Sequence, residues 1–514
     1  MSVNCPEGRN KRQKIEDLNK NAIEASNIQS NVAYEESGIN LTTVETLPAS
    51  ENIDCVSLSS ILSSEDLIEM IQFNYMVELE FLMSNLPKFK QKTIPTTIIH
   101  GLSEESEKYL KEEAKLFKNV KLISPRLPIP YGTHHTKAML LFYANSTMRL
   151  IIHTANAIRR DWAYKTQGVY MSPFLLKKRD ITSSSEFELD FMEYLESYGD
   201  KLNIIRNKVK EYDFSTIKAI LIASIPGYHV NEKLESFGHM RLRNILSRIT
   251  IPLSCKLDST IICQFSSIGS LGKDEKWLIE EFAESLKYAK NQNQCGEPDI
   301  KLVYPTVENV SNSLEGWAAG NSLPFDHKNY LKQKHYMQKY LHKWKAIEAG
   351  RERAMPHIKT YSRMTIIPNS NNNLESSAEI AWLLLTSSNL SKAAWGALQK
   401  KDKQLMIRSY ELGILIFPEL FQNDEYVSVH ILNSTPQNLK PGLPQSFNSI
   451  NFSPSKSASS KKRNRSEEEK NTLIIPIRLP YDLPLTSYNF KDGDECWTWN
   501  IPRTETDCLG LRKS

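Results

Sequence analysis

The chain has 514 residues, of which 40% are hydrophobic and 24% are charged, a composition typical of soluble globular proteins. Its 64 lysine and arginine residues are nearly balanced by 60 aspartate and glutamate residues, so net charge alone does not indicate a nucleic-acid partner. No apolar run approaches the ~18 residues of a membrane-spanning helix, and the length suffices for two hydrophobic cores.

The seven cysteines are scattered and form neither a Cys-x-x-Cys pair nor a cluster with histidine. This usage predicts a reducing compartment and no structural zinc. The amino-terminal segment has no apolar signal core, but it carries the basic run Lys11-Arg12-Gln13-Lys14. Such a run is as compatible with a nuclear import signal as with a solvated basic patch in a floppy tail.

Residues 1–60 are rich in asparagine, serine, glutamate and threonine and contain few aromatic residues. A segment of this composition buries too little apolar surface to offset its chain entropy, which predicts a disordered tail. Over residues 61–86 the helical spacing of apolar residues, with a Ser-x-x-Asp start, predicts the first ordered helix.

Short apolar segments then alternate with polar stretches of helical character, the pattern of an α/β layered domain. In the first half, strands are predicted near residues 96–102, 120–127, 138–143 and 148–154, and a helical stretch is predicted over 187–212. In the second half, strands are predicted near residues 217–227, 261–269, 300–305, 363–368, 381–388 and 412–418.

The low-complexity, charged residues 454–471 are predicted to form a disordered insertion, although their basic run is also compatible with nuclear import or DNA contact. We therefore predict a disordered tail at 1–60, an amino-terminal domain at 61–216 and a carboxy-terminal domain at 217–514 that contains this insertion.

A short motif occurs once in each half of the chain and consists of His-x-Lys followed, after an apolar segment, by asparagine. The first copy comprises His135, Lys137 and Asn156, and the second comprises His357, Lys359 and Asn389. An isolated His-x-Lys is usually incidental, but its duplication predicts a duplicated domain with an active site between the halves. If each motif lies in a β-strand, its histidine and lysine face the same cleft.

These residue types suit phosphoryl transfer. One imidazole can attack phosphorus while the other handles the proton of the leaving group. Two lysines and two carboxamides are donors for phosphate oxygens that gain charge in the transition state. Because no carboxylates of a metal site surround either motif and the lysines can do the electrostatic work of Mg²⁺, the sequence predicts a reaction without metal or other cofactor.

The motifs resemble those of the phospholipase D superfamily, in which His-x-Lys is followed by four residues and an aspartate. Phe142 and Met364 occupy those aspartate positions here, and the asparagines within HTAN and SSNLSKAAWG are similar to the tyrosyl-DNA phosphodiesterase branch instead. Further segments similar to that family occur in its order over about residues 70–510, among them YGTHHTK, DWAYKTQGVYMSP, QFSSIGSLG, TVENVSNSLEGWAAGNSLP, LMIRSYELG and WTWNIP.

The resemblance implies an α/β fold of two similar α-β-α sandwich domains, related by a pseudo-two-fold with the active site between them. It also implies a nuclear DNA repair enzyme that acts as a monomer without a cofactor. Its substrate would be a single-stranded or frayed DNA 3′ end that carries a tyrosyl peptide derived from topoisomerase I, or another adduct. The reaction would pass through a phosphohistidine and leave a 3′-phosphate.

The resemblance also implies roles for matching residues. His135 resembles the nucleophile, and His357 resembles the residue that acts first as general acid and then as general base. The phosphate-binding set is matched by Lys137, Lys359, Asn156 and Asn389. Gln167 and Glu411 match partners that orient the histidines, although an ordinary structural salt bridge explains Glu411 equally well.

Groove residues are a weaker prediction. Five residues match or neighbour positions that donate hydrogen bonds to DNA phosphates: Ser267, Ser270, Ser322, Ser391 and Lys392. Four match positions that line the substrate groove: Tyr75, Tyr131, Pro324 and Trp499. Without the resemblance, serine-rich turns and a tryptophan of the core explain them as well. His134 and His153 are predicted to be packing or hydrogen-bonding residues, because alternation turns His134 away from His135.

Two other functions remain open at this stage. A phospholipid-hydrolysing relative is disfavoured by the missing aspartates and the lack of a lipid-binding segment. A catalytically inactive scaffold that binds DNA ends is disfavoured because both histidines and both lysines are present.

Overall fold

A computed structural model of the protein describes residues 32–179, 184–367, 377–422, 427–434 and 471–513. The basic run at residues 11–14 and residues 454–470 of the predicted insertion lie outside these ranges, so what was predicted for them stays a prediction.

The strands of the first half, in chain order, are β1 (Val32–Tyr34), β2 (Ile39–Leu41), β3 (Leu67–Asn74), β4 (Thr96–His100), β5 (Val120–Ile123), β6 (Ala138–Tyr143), β7 (Thr147–His153), β8 (Gly168–Met171) and β9 (Leu175–Leu176). Those of the second half are β10 (Ile220–Ser224), β11 (Gly227–Val230), β12 (Thr260–Gln264), β13 (Asp299–Val303), β14 (Leu341–His342), β15 (Thr360–Ile367), β16 (Ser377–Thr386), β17 (Ala397–Gln399), β18 (Gln404–Ile407), β19 (Glu411–Ile416), β20 (Val427–Asn433), β21 (Asn471–Ile477), β22 (Arg503–Thr506) and β23 (Arg512–Lys513).

The α-helices of the described ranges are α1 (Leu58–Leu62), α2 (Leu79–Ser84), α3 (Glu104–Ala114), α4 (Arg159–Ala163), α5 (Glu186–Glu196), α6 (Asn203–Val209), α7 (Gly238–Leu246), α8 (Glu284–Lys287), α9 (Val307–Ser311), α10 (His327–Met337) and α11 (Lys392–Trp395). A π-helical stretch, Lys276–Ala283, leads directly into α8. Serine and aspartate side chains begin several of these helices: Ser103 caps α3, Ser185 caps α5 and Asp326 caps α10.

Two large sheets repeat one strand order. In the first sheet the order is β2-β8-β7-β6-β3-β4-β5, and in the second the matching strands follow the order β10-β19-β16-β15-β12-β13-β14. In each series the last three strands are mutually parallel, and every other neighbouring pair is antiparallel. The prediction of two similar α/β halves is therefore confirmed. The second sheet is extended beyond β16 by β20, β21 and β1.

The first sheet is covered on both faces, as its apolar strands require. Along β6, Ala138, Leu140 and Phe142 face a core that contains side chains of α5 and α6 and continues into the second half. The alternate residues Met139 and Leu141 face a separate core that contains side chains of α1, α2 and α3. This two-residue period places helices on either side of the sheet, which is a three-layer arrangement.

The predicted helix over 61–86 is wrong in its central part, where the structure has the strand β3. Seven of its eight residues are buried or half-buried, because β3 lies inside the sheet between β4 and β6. A strand buried on both faces is almost continuously apolar, and such a run also satisfies helical spacing. The predicted helical stretch over 187–212 is divided into α5 and α6, with a break at Gly199, whose φ is 67°.

The predicted disorder of residues 1–60 is wrong for residues 32–60. β2 pairs with β8 at the edge of the first sheet, and β1 pairs with β21 in the second. Leu41 and Val44 are fully buried. Composition underestimates order here because these few apolar residues complete a core that other segments build. The amino-terminal domain predicted to begin at residue 61 therefore lacks a strand of its own sheet.

Candidate active site

The two His-x-Lys motifs lie on extended segments that lead into β6 and β15, and each pairs with a segment of the opposite half. His134 forms a parallel β-bridge with Tyr410, and Pro356 forms one with Thr166. The backbone N–H group of the histidine that follows each bridge donates to the carbonyl of the same partner, at 3.0 and 2.9 Å. The motifs were expected to lie within strands, but they precede β6 and β15. Their extended backbone still turns histidine and lysine to one side.

His135 is oriented by a carboxylate of the second half. Its Nδ1 lies 2.9 Å from Oε2 of Glu411, the first residue of β19. Ser387 donates its hydroxyl to the same oxygen at 2.5 Å and accepts the backbone N–H of Leu412 at 3.0 Å. Burial raises the pKa of Glu411, but His135 and Lys137 outweigh it and the net pKa lies below its ordinary value. Glu411 therefore lies where the resemblance implied an orienting partner for His135.

His357 has an equivalent arrangement with an amide in place of the carboxylate. Its Nδ1 lies 3.2 Å from Oε1 and 3.1 Å from Nε2 of Gln167, the residue before β8. Thr154 donates its hydroxyl to that oxygen at 2.8 Å and accepts the backbone N–H of Gly168 at 2.9 Å. Within the described chain, no side chain forms a hydrogen bond with Nε2 of either motif histidine, so both Nε2 atoms are available to a substrate.

The two motif lysines are fully buried at the centre of the site. Nζ of Lys137 donates to the carbonyl oxygen of His135 at 2.8 Å, and Nζ of Lys359 donates to that of His357. Burial lowers the pKa of Lys137 to about 8. Burial and repulsion by Lys137 lower the pKa of Lys359 well below its usual range. The site therefore has excess positive charge that an anion would stabilise.

Both histidines share this electrostatic setting. Burial is the main reason that the pKa of His135 lies below 6.5, and the neighbouring Glu411 opposes the shift. The pKa of His357 is lowered further, by burial and then by Lys359, Lys137 and His135. A phosphodiester in the cleft would raise the pKa values of all four basic groups by supplying negative charge.

The two motif asparagines lie in the same site with different partners. Oδ1 of Asn389 accepts from the backbone N–H and the hydroxyl of Ser266, at 3.1 and 3.2 Å. No residue in the part of the chain that the structure describes accepts from its amide N–H groups, which are therefore available to a ligand. Nδ2 of Asn156 donates to Oδ2 of Asp161 at 2.9 Å. The second N–H of the Asn156 amide is not used in this bond. Oδ1 of Asn156 is buried without a hydrogen bond to any residue in the described ranges.

Three functional side chains were not predicted. Thr154 and Ser387 fix the partners of the histidines, and each lies two residues before a motif asparagine, so the repeat itself carried a signal for them. Asp161 lies 3.3 Å from Nδ1 of His357. It lies in the quoted segment DWAYKTQG, but only the fold brings it beside a histidine of the other half.

Several predicted groove residues meet in one cluster of loops next to Asn389. Ile268 bridges both Phe325 and Leu390, and the backbone N–H of Trp499 donates to Phe325 at 3.1 Å. This ladder brings together the following predicted residues: Ser267, Pro324, Ser391, Lys392 and Trp499.

Within this cluster, some of the predicted side chains already form hydrogen bonds within the protein, and others are open to a ligand. Ser267 donates to the carbonyl oxygen of Pro324 at 2.6 Å, and Ser391 caps α11 by accepting the N–H of Ala394. Trp499 is 47% exposed, whereas its neighbour Trp497 is fully buried. The ring of Trp499 is therefore open to a ligand, in contrast to a tryptophan of the core.

Two tyrosines were predicted to line the substrate groove. The ring of Tyr75 is 5.8 Å from the His135 ring. Tyr131 is 89% exposed and has a φ of 61°, a backbone conformation that is rare for a bulky residue. An exposed ring held in this way is compatible with stacking on a base or on the leaving tyrosine.

Ser270 is exposed and Ser322 is half-buried, and neither side chain is hydrogen-bonded to another described residue. Their contact with DNA stays a prediction. The prediction for the two remaining histidines is confirmed. His134 is fully buried and its Nε2 lies 2.9 Å from the hydroxyl of Tyr198, while His153 packs against the Trp162 ring.

Across the described residues, no three histidine, cysteine, aspartate or glutamate side chains are grouped in a way that would hold a metal ion. The metal independence of the reaction remains a prediction. Over the same ranges, no helix has the length and apolar character needed to cross a bilayer.

The sequence is similar to known phosphodiesterases along most of its length. A family model described as Tyrosyl-DNA phosphodiesterase matches residues 38–489. The chain is 37% identical over 500 residues to Tyrosyl-DNA phosphodiesterase 1 of Arabidopsis thaliana, which covers 91% of this chain and 75% of that protein. It is 30% identical over 550 residues to a Probable tyrosyl-DNA phosphodiesterase of Schizosaccharomyces pombe, covering 92% and 95% of the two chains.

The fold is also similar to that of a solved structure. The crystal structure of the yeast tyrosyl-DNA phosphodiesterase superposes with a TM-score of 0.60 and 21% sequence identity, over 90% of this chain and 99% of that chain. At this identity the likeness shows a common fold.

Proposed function

The chain belongs to the tyrosyl-DNA phosphodiesterase family, and on that premise we propose that it uses His135 and His357 to release tyrosine from a DNA 3′-phosphate in two steps. The observation that supports this proposal best is the crossed arrangement of the two histidines. Each Nδ1 is held by a partner from the opposite half, Glu411 or Gln167, and each Nε2 is left for the substrate.

In the first step, Nε2 of His135 attacks phosphorus and the bond from phosphorus to the tyrosine oxygen breaks. The imidazolium form of His357 donates its Nε2 proton to that oxygen, so tyrosine leaves as a neutral phenol. The new phosphorus–nitrogen bond gives the His135 ring a positive charge. The carboxylate of Glu411, 2.9 Å from Nδ1, balances this charge.

In the second step, the now neutral His357 accepts a proton from water, and the water oxygen attacks phosphorus. The phosphorus–nitrogen bond breaks and His135 leaves as a neutral imidazole, which regenerates the enzyme and leaves a DNA 3′-phosphate. Lys137, Lys359 and the amide of Asn389 donate to the phosphoryl oxygens in both steps, where charge accumulates in each transition state.

DNA would lie along the loop cluster that contains Ser267, Ser391, Lys392 and Trp499, and the tyrosyl peptide would lie opposite. The histidines lie between the two halves and only 6% of His357 is exposed, which supports a single-stranded or frayed 3′ end as the substrate. We assign topoisomerase I-derived peptides as the physiological adduct, the nucleus as the location and a monomer as the working form.

One assay tests this assignment. The purified protein is offered an oligonucleotide with a 3′-tyrosyl ester, the same oligonucleotide with a 5′-tyrosyl ester, and phosphatidylcholine vesicles. We expect conversion of the 3′-tyrosyl substrate to a 3′-phosphate and no release of choline. Choline release without cleavage of the 3′-tyrosyl ester would reject the assignment.

A further inference from the structure

The two halves of the active site differ at one position that lies next to a histidine. Five residues after each motif asparagine the sequence has Asp161 in the first half and Ala394 in the second, and a tryptophan follows in both. The carboxylate of Asp161 has no counterpart in the second motif, where Ala394 stands. This difference indicates that Asp161 has a role specific to His357, the histidine it contacts.

Asp161 is 1% exposed, and its carboxylate is directed at His357. Oδ2 accepts the backbone N–H of Asn156 at 2.6 Å and its side-chain amide at 2.9 Å, and it lies 3.3 Å from Nδ1 of His357. The carbonyl oxygen of Asp161 accepts Nε2 of Gln167 at 3.2 Å, which fixes the other partner of Nδ1. In the described chain, His357 is the only basic side chain within 4.0 Å of this carboxylate.

The charges around His357 otherwise oppose its protonation. Lys359 lies on the same extended segment as His357, Lys137 and His135 face it from the first half, and Lys165 lies two residues before Gln167. Lys165 is paired with Glu315, and Glu411 is hydrogen-bonded to His135. Gln167 is neutral. Asp161 is thus the carboxylate placed to compensate an imidazolium at His357.

The ionisation of Asp161 depends on the charges beside it. Burial raises the pKa of Asp161 above its ordinary value, and the hydrogen bond from Asn156 and the ammonium groups of Lys165 and Lys359 oppose that shift. A protonated His357 at 3.3 Å adds a further stabilising charge.

We propose that Asp161 is a positioning residue for general acid catalysis, which holds the Nδ1–H of His357 and balances the charge of its imidazolium form. This inference rests on the proposed function, because it concerns the acid of the first step. Without the carboxylate, His357 would lose its proton more readily and fewer molecules would carry the acid at neutral pH. The defect should appear where the leaving group needs a proton.

The test compares two leaving groups in single turnover. Tyrosine has a pKa of ~10 and leaves only slowly without an acid, whereas 4-nitrophenol is more acidic and depends much less on one. We expect Asp161→Asn to slow cleavage of a 3′-tyrosyl oligonucleotide by about 30-fold or more, and that of a 3′-(4-nitrophenyl) oligonucleotide by less than about 3-fold. The pH at which the tyrosyl reaction falls by half should also move to lower pH.

Two further variants separate charge from fold. The double variant Asp161→Asn with Gln167→Glu returns a carboxylate to Nδ1 and should recover part of the lost tyrosyl cleavage. Glu188→Gln removes another buried carboxylate, which is paired with Lys178 outside the site, and should leave the ratio of the two rates unchanged.

Equal losses on both substrates, or no loss on the tyrosyl ester, would overturn the role of Asp161 while leaving the proposed function intact. If the unmodified enzyme cleaved neither ester, the proposed function and this inference would both fail.

Discussion

His135 and Glu411 are 276 residues apart in sequence, and Nδ1 of one lies 2.9 Å from Oε2 of the other. His357 and Gln167, 190 residues apart, make the equivalent contact at 3.2 Å. Each half of the molecule therefore supplies a histidine to the site and the residue that orients the histidine of the other half. Neither half contains both histidines and both of their partners, so we expect the interface between the halves to be required for activity.

The charge of Glu411 should matter more than its hydrogen bond. Glu411→Gln retains an acceptor for Nδ1 but no longer balances the positive ring formed when His135 bonds to phosphorus. We expect the rate of the first step to fall by about 100-fold or more, with little change in the affinity for DNA. Rapid-quench measurement of tyrosine release in a single turnover gives that rate.

Glu379→Gln is the matched control for this variant. Glu379 is also buried and lies 2.6 Å from a histidine, His430, but outside the active site. Its substitution should leave tyrosine release unchanged. If Glu411→Gln were no slower than this control, the carboxylate would have a structural role only.

The two buried lysines are predicted to stabilise the phosphoryl oxygens. Lys137→Ala and Lys359→Ala each remove one donor and leave the nucleophile in place, so each should reduce cleavage by about 100-fold, or about 3 kcal/mol. Lys178→Ala removes a lysine whose side chain is 6% exposed and paired with Glu188, and it controls for the loss of a largely buried amine. A folded variant of either motif lysine that cleaved at the parental rate would show that the lysine is structural.

Much of this site could be predicted because the chemistry is repeated in the sequence. The His-x-Lys motifs and their asparagines identified six residues, and the structure brings all six together. The repeat could not predict Asp161, because Ala394 occupies the matching position and only the fold brings the first half's helix α4 next to His357.

The errors in the fold have one physical cause. β3 is buried on both faces, and β2 completes the edge of a sheet whose core is built by other segments. Both depend on partners distant in sequence, whereas spacing and composition report only local preference. Strands β4, β6 and β7 were predicted because they are short and bounded by turns.

Cleavage should not depend on a divalent metal ion. Two lysines and two histidines meet in the site, so electrostatic stabilisation is available from side chains alone. We expect full activity on a 3′-tyrosyl oligonucleotide in excess EDTA. Activity that disappears on chelation and returns with Mg²⁺ or Mn²⁺ would contradict this mechanism.

Binding of a DNA 3′-phosphate should be accompanied by proton uptake. In the free enzyme, burial holds the pKa of Lys137 at about 8, so close to that pH about half of the molecules lack this proton. A bound phosphate raises the pKa, which draws in a proton, and affinity should therefore fall as the pH rises through about 8. Calorimetry in buffers of different ionisation enthalpy measures the uptake.

Lys137→Ala is the informative variant for this measurement, because it should take up fewer protons than the parent at pH 8. Binding that released protons, or that became tighter as the pH rose, would show that the site is not short of negative charge.

We expect His135 to be the nucleophile and His357 to serve first as acid and then as base. Tyrosine, with a pKa near ~10, can leave slowly without an ideal acid, but water cannot attack the phosphohistidine readily without a base. Arginine keeps a cation near the phosphate and is a very poor base. His357→Arg should therefore accumulate protein covalently joined to DNA, and His135→Ala should form none.

The most direct measurement is denaturing gel electrophoresis of each variant after reaction with 3′-tyrosyl, 5′-labelled DNA, followed by mass spectrometry of the adducted peptide. We predict a slowly migrating band with His357→Arg, linked through the peptide that contains His135, and no such band with His135→Ala. A band with His135→Ala and none with His357→Arg would mean that the roles of the two histidines are reversed.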